Sequence, residues 1–260
     1  RRCCKKEELS KIKLTTLVLL GLMLIMVVGL FVSNYKSPTY VLEEEATLNT
    51  DENTGNYLKN RYPSLSPDEL KVLSGTSTNQ DLLNGLITQF NSDKDAIGIG
   101  LCLFIIAKDQ SSDSLYNEAG KSLLGNPEEI ITQEDADFVF EKAKKAYINA
   151  LEINKDNLSA NNGLALCYID YDQNVMKGVG LLKETLSQDT NNIEAIQYLG
   201  FLSIKSNQLE KASERFKKLV DLQPLNPEHY NNLSQVYLRM GDKQKANLYL
   251  EMGKNLSENK

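Results

Sequence analysis

The chain has 260 residues, 41% of them hydrophobic and 25% charged, with a formal net charge of −6, a composition that fits one large globular domain or two small ones. The charge is uneven: residues 1–13 carry six Lys/Arg against two acids, residues 33–204 carry 13 basic and 26 acidic, and residues 205–260 carry 10 basic and 7 acidic. No long basic stripe is available to neutralise phosphates, which argues against a nucleic-acid partner. Four cysteines without a C-x-x-C pair and the single histidine His229 are too few and too scattered for a zinc site.

The first element is a short basic tail, residues 1–13, holding Cys3 and Cys4. Those two cysteines are open to S-acylation or to no role at all. Residues 14–32, LTTLVLLGLMLIMVVGLFV, form an uncharged run of 19. As a helix it would be about 28 Å long, close to the ~30 Å hydrocarbon core, and it is too long for the apolar part of a cleaved leader. A single transmembrane helix is the expectation. The basic flank places the N-terminus in the cytoplasm and the rest of the chain outside: a periplasm or cell exterior, or a lumen or intermembrane space.

Residues 33–66 are polar, with Pro38 and Pro63 and the run Asn49–Gly55, and read as a linker. Ser66-Pro67-Asp68-Glu69 then predicts a helix start, opening a degenerate helical region over residues 67–112. Helices are expected over Gln80–Phe90 and Asp95–Lys108. The second contains AIGIGLCLFIIA, too short to span a bilayer and suited to a core. Cys102 and Cys167 sit among apolar neighbours and are expected as buried thiols rather than a disulfide.

No GxSxG, P-loop, HExxH or GxGxxG is present, so no catalytic constellation emerges and neither cofactor, small-molecule substrate nor enzymatic activity is expected. Gly98-Ile99-Gly100 reads as a close-packing site. Glu128-Glu129 and Asp135-Asp137 read as solvated surface, and His229 as the exposed start of a helix.

Beyond residue 112 a period near 34 appears. Residues 193–226 supply Ile196, Leu199-Gly200, Ser203, then Ala212, Phe216, Leu219 and Pro224; residues 227–260 supply Tyr230, Leu233-Ser234, Tyr237, then Ala246, Leu250 and Gly253. Residues 158–192 follow with Asn161, Leu164-Ala165, Tyr168, Gly178, Leu182 and Thr185, carrying one extra residue in the turn. Residues 113–157 supply Tyr116, Ala119-Gly120, Leu123, then Ala143, Tyr147 and Ala150, around an insertion at residues 127–137. Small residues let paired helices cross closely, and large ones fill the space between hairpins. Asn226 before Pro227 marks a capped helix start.

Over residues 113–260 this pattern resembles the tetratricopeptide repeat family. The expected fold class is therefore all-α: one N-terminal transmembrane helix followed by an α-solenoid of tetratricopeptide-like hairpins, four in number (113–157, 158–192, 193–226 and 227–260). The resemblance implies a concave groove lined by the first helix of each hairpin, which holds a peptide or helix. By position the groove residues are Asn162, Leu166 and Ile169; Gln197, Phe201, Ile204 and Lys205; Asn231, Gln235, Leu238 and Arg239. Glu194 and Glu228 occupy the early positions where some relatives clamp a terminal carboxylate, and have the wrong sign for that. The function expected is a membrane-anchored, extracytoplasmic protein–protein adaptor or scaffold, with protein partners in the groove and the bilayer at residues 14–32. The alternative is a permanent subunit of a larger membrane complex, its anchor packed on other helices through Gly21 and Gly29. Leu248 and Met252 of the last helix are expected to stay half exposed.

Overall fold

The computed structural model describes residues 50–77 and 79–258, and among these the chain is α-helical with no strand. The expected membrane helix, residues 14–32, and the basic tail lie outside the described residues. No helix among the described residues is long and apolar enough to cross a membrane.

Part of the stretch expected as linker is a helix: α1 spans Thr50–Arg61. Its sequence has almost no apolar stripe, so tertiary contacts must hold it. Tyr57 stacks on Phe138 with ring centroids 3.9 Å apart, and its hydroxyl donates to Asp135 Oδ1 at 2.9 Å. Leu58 is fully buried. Arg61 closes the attachment with ion pairs to Asp135 at 3.1 Å, Glu129 at 3.7 Å and Asp95 at 4.0 Å.

Helix α2, Pro67–Leu73, begins in a capping box: Glu69 N–H donates to Ser66 Oγ, and Ser66 N–H donates to Glu69 Oε2. These reciprocal bonds satisfy two of the backbone groups every helix start leaves open. Helices α3, Gln80–Asp93, and α4, Ala96–Gln110, follow. A Cβ on Gly98 would stand 2.6 Å from the Phe90 ring, and one on Gly100 2.7 Å from Leu123. The G-x-G is thus where two helices press close, and α4 is a core helix.

Helix α5 is Asp113–Leu124, and α6 is the 21-residue helix Gln133–Ile153, with a 3-10 turn at Pro127–Glu129 between them. Within the insertion Glu128 and Asp137 are exposed, as read, but Glu129 and Asp135 are not, which corrects the reading of those two carboxylates as solvated. Glu129 accepts from the N–H groups of Ala96 at 3.1 Å and Ile97 at 3.2 Å, capping α4. Asp135 is 8% exposed and takes bonds from Thr132, Tyr57 and Arg61. These two acids tie α1, α4 and α6 together.

The next hairpin is α7, Leu158–Leu166, running into a π-helix at Cys167–Tyr171, and then α8, Val175–Gln188. After it come α9, Ile193–Lys205, with α10, Leu209–Leu222, and α11, Pro227–Arg239, with α12, Lys243–Glu258. Ile196, Ala212, Phe216, Leu219, Leu233, Val236, Tyr237 and Ala246 form one core running through these last four helices. One hairpin cannot bury such residues alone, so the hairpins stack. Cys102 and Cys167 are free and buried. Burial pushes both thiols up to about 12, out of the range in which a thiolate forms.

Candidate partner groove

Helix α5 packs on α7 and α7 on α9, whereas the second helices α6, α8, α10 and α12 make no comparable contact with one another. Over these three hairpins the first helices approach one another, and their free faces form the candidate groove side. Each first helix is started by a polar cap. Asn157, Asn192 and Asn226, 35 and 34 residues apart, accept through their side chains from the N–H of Ala160, Ala195 and Glu228 at 3.0, 3.0 and 3.1 Å. Such a cap contributes about 1 kcal/mol to each helix and sets the axis on which the inner face is displayed.

The expected groove residues divide into three groups. Asn162 is 1% exposed and Ile169 is also buried, so neither offers a free surface; this corrects their assignment. Asn162 Nδ2 donates to Asn192 Oδ1 at 2.9 Å and to Glu194 Oε2 at 3.2 Å, spending its donor on the neighbouring hairpin. Leu166, Gln197, Ile204 and Asn231 are half-buried. Asn231 lies against Gly253 of α12, where an added Cβ would stand 2.6 Å from its Oδ1. It therefore serves its own hairpin. Phe201 is 41% exposed and Leu238 60% exposed, and Lys205, Gln235 and Arg239 are exposed as well.

Phe201 stands edge-on to the buried Phe216, centroids 5.4 Å apart. Half of its ring is thus anchored in the hairpin and half is open. That is the arrangement of a preorganised apolar anchor: little rotamer freedom remains to lose on binding.

Of the two early groove positions, Glu194 is already engaged. Glu194 Oε1 lies 3.9 Å from Lys121 Nζ, and Lys121 also faces Glu118 at 3.9 Å. A polar chain Lys121–Glu194–Asn162–Asn192 thus links α5, α7 and α9. Its members are spread over more than seventy residues and are not equivalent to one another in the repeat, so periodicity alone does not reveal that they are linked. At the other end of the first helices the situation is reversed. Lys205 and Arg239 occupy equivalent places in successive repeats and make no ion pair or side-chain hydrogen bond with any described residue. Among the described residues no group of His, Cys, Asp and Glu is placed to hold a metal ion.

Comparison with known proteins agrees with this architecture. The tetratricopeptide repeat family model matches residues 216–246, which run from α10 through α11 into the start of α12. None of the curated proteins matches the chain. Among solved structures, MamA 41-end from Desulfovibrio magneticus RS-1 superposes with a TM-score of 0.52 at 15% identity, over 71% of this chain and 99% of that one. The MamA RS-1 ArsTM double mutant gives 0.51 at 15% identity, over 70% and 98%. At such identity the likeness is one of fold. Residues 216–246 match the tetratricopeptide repeat, and the described residues have the fold of an all-helical, tetratricopeptide-like stack of hairpins.

Proposed function

We propose that this chain is a membrane-anchored scaffold that holds a segment of a protein partner on the inner face of its repeats, outside the cytoplasm. The observation that carries the reading is that Phe201 and Leu238 are exposed apolar side chains on the first helices of successive hairpins, at positions where the repeat register puts the groove. Anchoring and orientation rest on the uncharged run at residues 14–32 and its basic N-terminal flank.

A photo-crosslinking amino acid at the exposed Gln235 tests the proposal in the full chain in its native membrane. It should capture one protein or a small set, and the same group at Lys183 on α8 should not. Equal capture from both positions would contradict a groove. A captured protein recovered in fixed stoichiometry after mild detergent extraction would make the chain a permanent subunit rather than an exchanging adaptor.

A further inference from the structure

The inner face is chemically lopsided, and the asymmetry follows the repeat register. Leu166, Phe201 and Gln235 occupy one equivalent position in three successive hairpins, Ile169, Ile204 and Leu238 a second, and Asp170, Lys205 and Arg239 a third. At the third position the sign changes between repeats: acidic on α7's continuation, basic at the ends of α9 and α11. Both basic groups are exposed and without an ion-pair or side-chain hydrogen-bond partner among the described residues, although the chain as a whole is acidic. On α9 Phe201 stands one helical turn before Lys205 on the same face, and on α11 the exposed Leu238 precedes Arg239 in sequence.

We propose that the occupant of this face is a polypeptide segment in which acidic side chains flank an apolar one. Its acids meet Lys205 and Arg239, and its apolar side chain seats against Phe201 and Leu238. The inference rests on the groove reading above and adds the chemistry of the partner. Asp170, at the equivalent place one repeat earlier, repels a further acid and attracts a base, so it sets the direction in which the segment lies. The apolar contact supplies most of the affinity, as buried anchors do. The two cations supply selection and faster encounter, as rim charges do. Acting across water at the rim, they are screened beyond about 8 Å at physiological ionic strength, so their effect is salt-dependent.

The test is selection of a random-peptide display library against the full chain in detergent micelles. Selected peptides should be enriched in Asp and Glu next to Leu, Ile or Phe. A synthetic copy of one should bind the Lys205→Glu/Arg239→Glu protein about tenfold more weakly, since two exposed ion pairs are exchanged for repulsion. Replacing its acids by Lys should restore binding to that variant, and raising salt should shrink the difference. Both substituted positions are exposed, and an unchanged thermal midpoint confirms the fold; a Lys205→Gln/Arg239→Gln protein repeats the measurement with a milder change. If peptides lose affinity on Phe201→Ala but are indifferent to both charge variants, or show no acidic enrichment, the groove stands and the acidic-partner inference falls. If no selected peptide distinguishes wild type from Phe201→Ala and Leu238→Ser, both readings fall.

Discussion

Between the two helices of the last three hairpins, Gln173, Asn207 and Gly241 recur 34 residues apart with φ of 56°, 58° and 82°. The turn demands a left-handed residue, which Gly adopts freely, Asn tolerates and Gln resists at a cost of roughly 1–2 kcal/mol. Gln173 is exposed, so Gln173→Gly loses no packing and should stabilise the domain by up to about 1 kcal/mol after the added backbone freedom of the unfolded chain. A lowered thermal midpoint would contradict this. His229 carries a second residue-scale prediction. Expected on an exposed helix start, it is 1% exposed, because the ring turns back to place Nε2 2.8 Å from Gln223 Oε1. Burial holds its pKa below the ordinary value, only partly opposed by Glu228. A depressed histidine binds its proton more readily when unfolded, so stability should be full above about pH 6.5 and decline as pH falls through that value. In a His229→Gln protein that part of the pH dependence should vanish; an unaltered profile between pH 7.5 and 5.5 would contradict it.

The extra residue in the 158–192 repeat is accommodated at the element scale as a π-helix, where the Asp172 N–H reaches back to Cys167 C=O at 3.1 Å. Repeat spacing showed that a residue had been added, but pattern alone could not say whether loop or helix absorbs it. Helix α1 was illegible for a different reason. Among its described side chains burial is confined to Thr54, Tyr57 and Leu58, with Arg61 paired to acids 34, 68 and 74 residues away, and such attachments leave no local period. Burial acts to raise Asp135, but bonds from Thr132 and Tyr57 and the Arg61 charge outweigh it and hold the carboxyl low. Burial likewise opposes Glu129, which the Ala96 and Ile97 N–H groups and Asn126 hold low. Their contribution is therefore present above about pH 4 and lost as pH falls below it; Asp95, raised by burial, offsets part of that loss. Arg61→Gln should speed amide exchange across α1 at neutral pH while leaving α9–α12 protected. Uniform protection in both proteins would show that the ion pairs do not hold the helix.

At the scale of the whole molecule the repeats were legible from residue 113 onward because stacking needs small and large side chains at fixed intervals. The candidate groove was less so, because register alone cannot distinguish a buried position, such as Asn162, from an exposed one, such as Phe201. Ala212 is fully buried in the core shared by the last two hairpins. Ala212→Leu should cost about 1–3 kcal/mol through overpacking, with the melt shifting as a whole because neighbours share the interface. Protease added outside intact cells or spheroplasts should digest residues 40–260; full protection would reverse the proposed topology.

The central claim is that the inner face holds a polypeptide, and it is tested most directly by titrating the protein captured from Gln235 against wild type, Phe201→Ala, Lys205→Glu and the rear-face control Lys183→Glu. Phe201→Ala should weaken binding about thirtyfold, the effect of losing a hot spot worth ~2 kcal/mol. Its edge contact with Phe216 makes a small fall in melting point part of the expectation, about 1 kcal/mol. Lys205→Glu should weaken binding with no change in melting, and Lys183→Glu should change neither. Wild-type affinity in both groove variants would place the partner elsewhere on the molecule and contradict the claim.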